Sequence, residues 1–222
     1  MVAGTDRREN IRQAQLLLGE PYIERIKSAR KPFIHPNLVS DKNQLASTHV
    51  EAVRAVLDVV SLHRGDEVLV GDASYHDTKK AFQRFDYESL RRSGNVRFLD
   101  LNDDKTVETF AYDRNLARPG TTMGTGQPVD TPSSSGGISG GSRASHVVLR
   151  RQPMPTSKIV LESDCVILVV PPKMHSYYTV SLSLKTHVIG SMVAPRSPFG
   201  IHARWPQVHS GYLAAHRTLA DW

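Results

Sequence analysis

The sequence predicts an α/β domain with a mainly parallel sheet flanked by helices. Short apolar strands alternate with amphipathic helical segments, which is the pattern of sheets whose parallel strands are joined by helices. The last strand, Cys165 to Val170, is continuously apolar, as expected for a strand that is covered on both faces. The length of 222 residues suits one domain with a substantial core.

Local signals mark the individual elements. Thr48 and Glu51 match the capping-box pattern, and valines and leucines at helical spacing follow them. Asp77 and Gly94 bracket a third helical segment. The predicted helices are 10–29 (in two pieces, divided at Gly19 and Pro21), 48–64 and 77–93, and the predicted strands are 33–39, 67–71, 96–102 and one within 158–170.

A low-complexity stretch interrupts this pattern at residues 118–145. Twenty of its 28 residues are Gly, Ser, Thr or Pro, so it has too little apolar surface to order itself. A core strand follows it, and too little chain remains for a second core. We therefore interpret 118–145 as a flexible loop inserted into a single domain that spans residues 1–222.

Composition excludes several classes of protein. A single cysteine rules out a disulfide framework and an iron–sulfur cluster held by this chain alone, and it leaves any other cofactor unknown. The N-terminus is polar, and no apolar run is long enough to span a membrane. We expect a soluble, cytoplasmic protein.

The net charge of +6 is concentrated in the C-terminal third. Residues 146–222 hold eight Lys and Arg but only three Asp and Glu. The chain has no RNA-binding signature, no zinc finger and no interleaving of aromatic and basic residues, so nucleic acid is a disfavoured partner. The cations of the C-terminal third therefore point to a smaller anionic partner.

Polar residues follow the first two predicted strands where open parallel sheets bind ligands. Asn37 follows the first strand, and Asp72 and Ser74 follow the second. Asp72 could accept a hydrogen bond from a ligand hydroxyl or bind a metal, and a role in stabilising the turn explains it about equally well. Asp77 has a sufficient role as the N-terminal cap of the next helix.

Two Lys-x-His units follow the last strand. Lys173 and His175 come directly after it, and Lys185 and His187 repeat the spacing. Lysine supplies a positive charge, and histidine supplies a hydrogen-bond donor whose protonation depends on its surroundings. Together they suit the binding of a carboxylate or phosphate. Ordinary surface residues would give the same spacing, so both interpretations stay open.

Other chemistry has little support in the sequence. No glycine-rich phosphate loop lies between a strand and a helix, and the nucleophile motif GxSxG is absent. Cys165 lies within an apolar strand and is expected to be an inert core thiol. His202, His209 and His216 are seven residues apart, but Pro206 and Gly211 interrupt any shared helix, so we predict no metal site.

Several segments together resemble a known family, the domain of unknown function numbered 362. The resemblance covers about residues 30–220 without the Ser/Gly-rich loop, and it rests on the order and number of motifs rather than on any single motif. The segments are PFIHPNLVS (32–40), STHVEAVRAVLDVV (47–60), EVLVGDAS (67–74) with DTKKAF (77–82), VRFLDLND (96–103), KIVLESDCVILVVPPKMH (158–175) and VSLSLKTHVIG (180–190).

The sequence departs from the family pattern at three polar positions. His35 stands where lysine is usual before Pro-Asn, His175 stands near a second lysine, and Thr186 stands where asparagine usually follows the lysine. The family usually continues beyond the last helix, so the resemblance implies that its C-terminal elements are missing here. It also implies a Rossmann-like fold and, by association with ferredoxin-type modules, redox-linked chemistry.

The sequence leaves two functional hypotheses and does not establish whether the protein is an enzyme. In the first, Asn37, Asp72, Ser74, Lys173, His175 and Lys185 bind an anionic small molecule or nucleotide-like cofactor at the carboxyl ends of the strands. In the second, the chain is a non-enzymatic module whose basic C-terminal third docks an acidic, ferredoxin-like protein.

Overall fold

A four-stranded parallel sheet forms the centre of the fold. The computed structural model describes residues 4–113, 128–129, 149–175, 178–202, 208–209 and 211–222. The strands are β1 (Pro32–Pro36), β2 (Val68–Asp72), β3 (Val96–Asp100), β4 (Thr106–Asp113), β5 (Pro128–Val129), β6 (Leu149–Ser157), β7 (Cys165–Val169), β8 (Lys173–His175) and β9 (Thr179–Ser181). The helices are α1 (Arg7–Leu16), α2 (Glu20–Ser28), α3 (Val50–His63), α4 (Thr78–Arg84), α5 (Lys158–Glu162), α6 (Ser183–Ile189) and α7 (Tyr212–Asp221).

The central sheet has the strand order β3-β2-β1-β7, and every pairing in it is parallel. Strand β1 is buried along its whole length, and Phe33 lies between Leu69 of β2 and Val166 of β7. This confirms the predicted α/β class with a parallel sheet flanked by helices.

The direction of the connections changes at β1. The crossovers through α3 and α4 place β2 and β3 on one side of β1, whereas β7 pairs on its other side. Such a reversal opens a crevice beyond the carboxyl ends of the two diverging strands, and ligands of open α/β sheets bind there. In this chain the crevice lies beyond Pro36 and Val169.

Helix α3 packs against the sheet with its valine- and leucine-rich face. Val53, Leu57 and Val60 are fully buried in the main core, which also receives residues from α2, α4 and all four strands of the sheet. Helix α1 packs on the outer side of α3, and Arg8 of α1 forms a bidentate ion pair with Asp58 of α3. Helix α1 is thereby brought close to the amino-terminal end of α3.

The helix predicted at 77–93 and the strand predicted at 96–102 are both too long. The helix predicted at 77–93 ends at Arg84, because Asp86 adopts a left-handed conformation with φ of 59°, and a 3₁₀ helix follows over Tyr87–Arg92. The strand predicted to run through 96–102 ends at Asp100. The strand predicted within 158–170 is confirmed as β7, and residues 158–162 before it are helical, since Ser157 caps α5.

A second, antiparallel sheet is absent from the sequence prediction. Strands β4 and β6 pair along eight residues and flank the low-complexity stretch. Pro153 and Pro155 lie within β6, and prolines argue against a strand unless it is at an edge. Strand β5 pairs only with the first two residues of β6 and does not reach the prolines, and the Pro155 carbonyl instead accepts from the Val193 amide at 2.7 Å.

The β4–β6 pair packs on α6 and α7 and forms a smaller core with them. Ala111, Met154, Ile189 and Met192 are buried there. Apart from β5, the loop predicted at 118–145 lies outside the described residues. Among the helices that are described, none is long and apolar enough to cross a bilayer.

Candidate functional site

Helix α6 lies across the carboxyl ends of β1 and β2. Near the middle of α6, Thr186 Oγ1 accepts a hydrogen bond from Asn37 Nδ2 at 3.2 Å. At the end of the helix, the Gly190 carbonyl accepts from the Ala73 amide at 2.9 Å. The helix therefore covers the strand ends at which the sequence predicts a ligand.

A buried histidine–aspartate pair lies beneath the end of α6. Asp72 is 1% exposed, and its carboxylate lies 3.2 Å from His35 Nε2 and accepts the Leu38 amide at 2.7 Å. His35 is fully buried, and its Nδ1 has no hydrogen-bond partner among the described residues. Asp72 therefore holds the exit of β1 rather than facing solvent.

Gly190 is required by this packing. A Cβ atom at Gly190 would lie 2.8 Å from Asp72 Oδ1 and 3.1 Å from His35 Nε2, and it would also clash with the Thr186 carbonyl. Gly190 is the last residue of the family-like segment VSLSLKTHVIG. Its backbone approaches the buried pair so closely that a side chain would not fit, which explains why glycine stands at this position.

Lys173 and Asn37 are in direct contact at the crevice. Lys173 Nζ donates to Asn37 Oδ1 and, at 2.6 Å, to the Ala46 carbonyl. Burial lowers the pKa of Lys173, and the negative charge of Asp72 opposes that shift. Three of the predicted site residues thus belong to one electrostatic group, although Asn37 and Asp72 are almost fully buried.

Ser74 has an internal partner. Its hydroxyl donates to the Leu38 carbonyl, and the residue is 1% exposed. Asp77 caps α4 by accepting the Lys80 amide at 3.0 Å, as its position predicted. The side chains of both residues therefore stabilise the backbone that follows β2.

Thr48 does not cap α3, and that expectation is wrong. His49 is the N-cap, and its Nδ1 accepts the Glu51 amide at 3.2 Å. The Thr48 hydroxyl instead accepts from the Asn37 amide at 2.8 Å and donates to the Val169 carbonyl at 2.7 Å. It therefore ties together the two diverging strands, a role with no signal in the local sequence.

The second Lys-x-His unit is brought toward the first by the β8–β9 hairpin and α6. Burial is the main cause that lowers the pKa of His175 to about 4, and the positive charges of Lys185 and Lys173 add to the effect. The three groups therefore lie within electrostatic reach of one another. The ring of His175 also stacks on His209, with centroids 5.2 Å apart.

We expect His175 to make the protein less stable in acid. Its pKa is about 4 in the folded state against an ordinary value of 6.5, so the unfolded chain binds more protons between these values. The contribution is complete above about pH 6.5 and is lost as the pH falls toward 4. Urea unfolding at a series of pH values should show a smaller acid loss for His175→Phe, which keeps an aromatic ring. Equal pH slopes in both proteins would contradict this assignment.

The three histidines spaced by seven residues do not share one site. His202 Nδ1 donates to the Ala194 carbonyl at 2.7 Å, His209 stacks on His175, and His216 lies against Tyr212. No cluster of three histidine, cysteine or acidic side chains suited to a metal occurs in the described part of the chain.

A cavity of about 370 Å³ opens beside the crevice, and Thr48 in its wall is hydrogen-bonded to the exits of both β1 and β7. We call it the cavity between β1 and β7, although no residue of β1 itself lines it. Its walls come from α1, from the loop that leads into α3 and from the exit of β7. The strand exit is predictable from the sequence, but Arg7 and the loop are not, because the position of α1 depends on its packing against α3. The lining residues are Arg7, Ile11, Gln44, Leu45, Ser47, Thr48, His49, Ala52, Val169, Val170, Pro171 and Pro172.

Comparison with known proteins supports the resemblance seen in the motifs. Residues 33–118, from β1 to just beyond β4, match the family model described as domain of unknown function (DUF362). No curated protein and no solved structure matches the chain. The chain therefore contains a DUF362 domain at residues 33–118.

Proposed function

We propose that the protein binds an anionic small molecule at the carboxyl edge of its parallel sheet, in the cavity between β1 and β7. The observation that carries this proposal is the position of the cavity beside the point where the strand order reverses, because Thr48 in its wall joins the exits of β1 and β7. Crevices at such points are the usual ligand sites of open α/β sheets, and a volume of about 370 Å³ is within the range of ligand pockets.

The charges around the cavity favour an anion. Arg7 lines it, and its side chain has no ion-pair partner within the described ranges. Lys173 lies directly behind the wall, because its ammonium group binds the carbonyl of Ala46 between the lining residues Leu45 and Ser47. Arginine can contact a carboxylate or phosphate through two parallel hydrogen bonds, and the partly buried lysine adds positive potential.

The other predicted site residues have supporting roles in this proposal. Asn37 orients Lys173, and Asp72 and Ser74 hold the backbone at the β1 exit. Lys185 adds positive charge on the α6 side, whereas His175, with a pKa of about 4, is neutral at pH 7 and can take part only in hydrogen bonding. A ligand in the cavity need not displace α6, since the cavity is lined by other elements.

A thermal-shift screen tests the proposal directly. Inorganic phosphate, pyrophosphate, ADP and small carboxylates are added to the full chain, and we expect at least one anion to raise the melting temperature. Arg7→Gln should abolish the shift, because the cation that contacts the ligand is lost. Arg8→Gln is the matched control, since Arg8 is the next residue of α1 but pairs with Asp58 outside this cavity. No shift with any anion, or an equal shift in Arg7→Gln, would refute the proposal.

A second candidate function is docking of an acidic, ferredoxin-like protein. The observation in its favour is the outer face of the β8–β9 hairpin, where the cross-strand neighbours Met174 and Val180 are 94% and 50% exposed. Lys185 lies on α6, which follows β9 directly, whereas the ammonium group of Lys173 is turned toward Asn37. Titration calorimetry with a purified ferredoxin should give a binding signal that Met174→Ser weakens, and an absent signal at low salt would remove this candidate.

A further inference from the structure

We infer that the cavity between β1 and β7 takes a monovalent anion on an apolar body, namely an aliphatic or aromatic carboxylic acid, rather than a polyphosphate. This inference rests on the proposed function and specifies the chemical class of its ligand.

Most of the cavity wall is apolar. Seven of its twelve lining residues carry no polar side-chain atom, and they come from all three segments that build the cavity. The exit of β7 alone contributes four consecutive residues, two of which are prolines with rigid rings. Burying an apolar body against such a wall is favourable, whereas a triphosphate would gain nothing from it. The apolar lining residues are Ile11, Leu45, Ala52, Val169, Val170, Pro171 and Pro172.

The polar side chains of the lining are already engaged in internal hydrogen bonds. Gln44 Nε2 donates to the carbonyls of Ser47 and Thr48, and the Ser47 hydroxyl donates to the Ser40 carbonyl. The Thr48 hydroxyl is hydrogen-bonded to the Asn37 amide and the Val169 carbonyl at the exits of the two diverging strands. Few donors therefore remain for the several oxygens of a polyphosphate, each of which would need a partner on leaving water.

The charge available for the ligand is close to one unit. Arg7 is the only lining residue with a permanent charge. Burial and the neighbouring charge of Arg7 lower the pKa of His49, so this imidazole is neutral at pH 7 and supplies hydrogen bonding only. Asp72 lies close enough to Lys173 to oppose the lowering of its pKa, so its carboxylate offsets part of the lysine charge behind the wall.

The geometry therefore places one exposed guanidinium beside an apolar chamber. A carboxylate would contact Arg7 while its hydrocarbon part lies against Leu45 and the residues of the β7 exit. This division into a charged mouth and an apolar interior is the usual design of a site for an amphipathic acid.

Calorimetric titration of the full chain with octanoate, octanamide, inorganic phosphate and ADP tests the ligand class. We expect octanoate to bind with one-to-one stoichiometry, and octanamide, which has the same chain without the charge, to bind at least about tenfold more weakly. Arg7→Gln should weaken octanoate binding to a similar extent, whereas Arg8→Gln should leave it unchanged.

A second variant tests the apolar wall. Leu45 is 88% exposed, so Leu45→Ser should not disturb folding, and it should weaken octanoate binding. Equal binding of octanoate and octanamide, or octanoate binding that neither variant changes, would overturn the inference.

The outcomes separate this inference from the proposed function. If phosphate or ADP binds in an Arg7-dependent way and octanoate does not, an anion site exists and its assignment to carboxylic acids is wrong. If none of the four probes binds, both proposals fail.

Discussion

Replacing Asp72 with alanine should lower the free energy of unfolding by about 3–5 kcal/mol, because it breaks a buried pair and leaves one partner behind. His35 would lose its carboxylate partner, and the Leu38 amide would lose its acceptor, and both residues are fully buried. The measurement is urea unfolding at neutral pH. Single domains are stable by only about 5–15 kcal/mol, so this loss would remove a large share of the total.

Two further variants make the Asp72 result specific. Asp103→Ala removes an exposed carboxylate that pairs with Lys79, and it should cost less than about 1 kcal/mol. Asp72→Asn keeps the shape and one acceptor oxygen, so we expect a smaller loss than with alanine. If Asp72→Ala unfolds at the same urea concentration as Asp103→Ala, the buried pair does not have the structural role assigned to it.

Replacing Thr48 with valine should lower the free energy of unfolding by about 2–4 kcal/mol. Valine has nearly the same shape but no hydroxyl, so the Asn37 amide and the Val169 carbonyl would each lose their partner at a fully buried position. The effect should appear in the urea midpoint and also as faster amide hydrogen exchange at Asn37.

Thr106→Val is the matched control for Thr48. Thr106 lies exposed at the start of β4, so the same substitution should change stability little. A loss at Thr48 no larger than the loss at Thr106 would show that the hydroxyl does not hold the two strands together.

The parallel sheet could be predicted because its strands carry strong local signals. The apolar runs that contain Ile34, Val70 and Ile167 are short, bounded by turns and separated by helical segments. Since carboxyl ends of parallel strands meet at one edge, Asn37, Asp72 and Lys173 could be expected near one another, and the structure brings Asn37 and Lys173 into contact. The predicted role of these residues in ligand binding stays a prediction.

What could not be predicted depends on packing between distant segments. The placement of α6 over the strand ends follows from its contacts with Asn37 and the buried pair, and no local pattern encodes it. Arg7 and Ile11 reach the cavity only because α1 packs on α3 through Arg8 and Asp58. The β4–β6 pair is obscured by two prolines in β6 and by the long stretch between the two strands.

The cavity between β1 and β7 is assembled from three separate parts of the chain. Only the loop that leads into α3, together with Ala52, lies within the residues that match DUF362, whereas α1 and the exit of β7 lie outside them. The guanidinium and most of the hydrocarbon wall are thus supplied from beyond the family match. Two proteins that share only the matched segment would have β1, β2 and β3 in common and could still differ in the residues that contact the ligand.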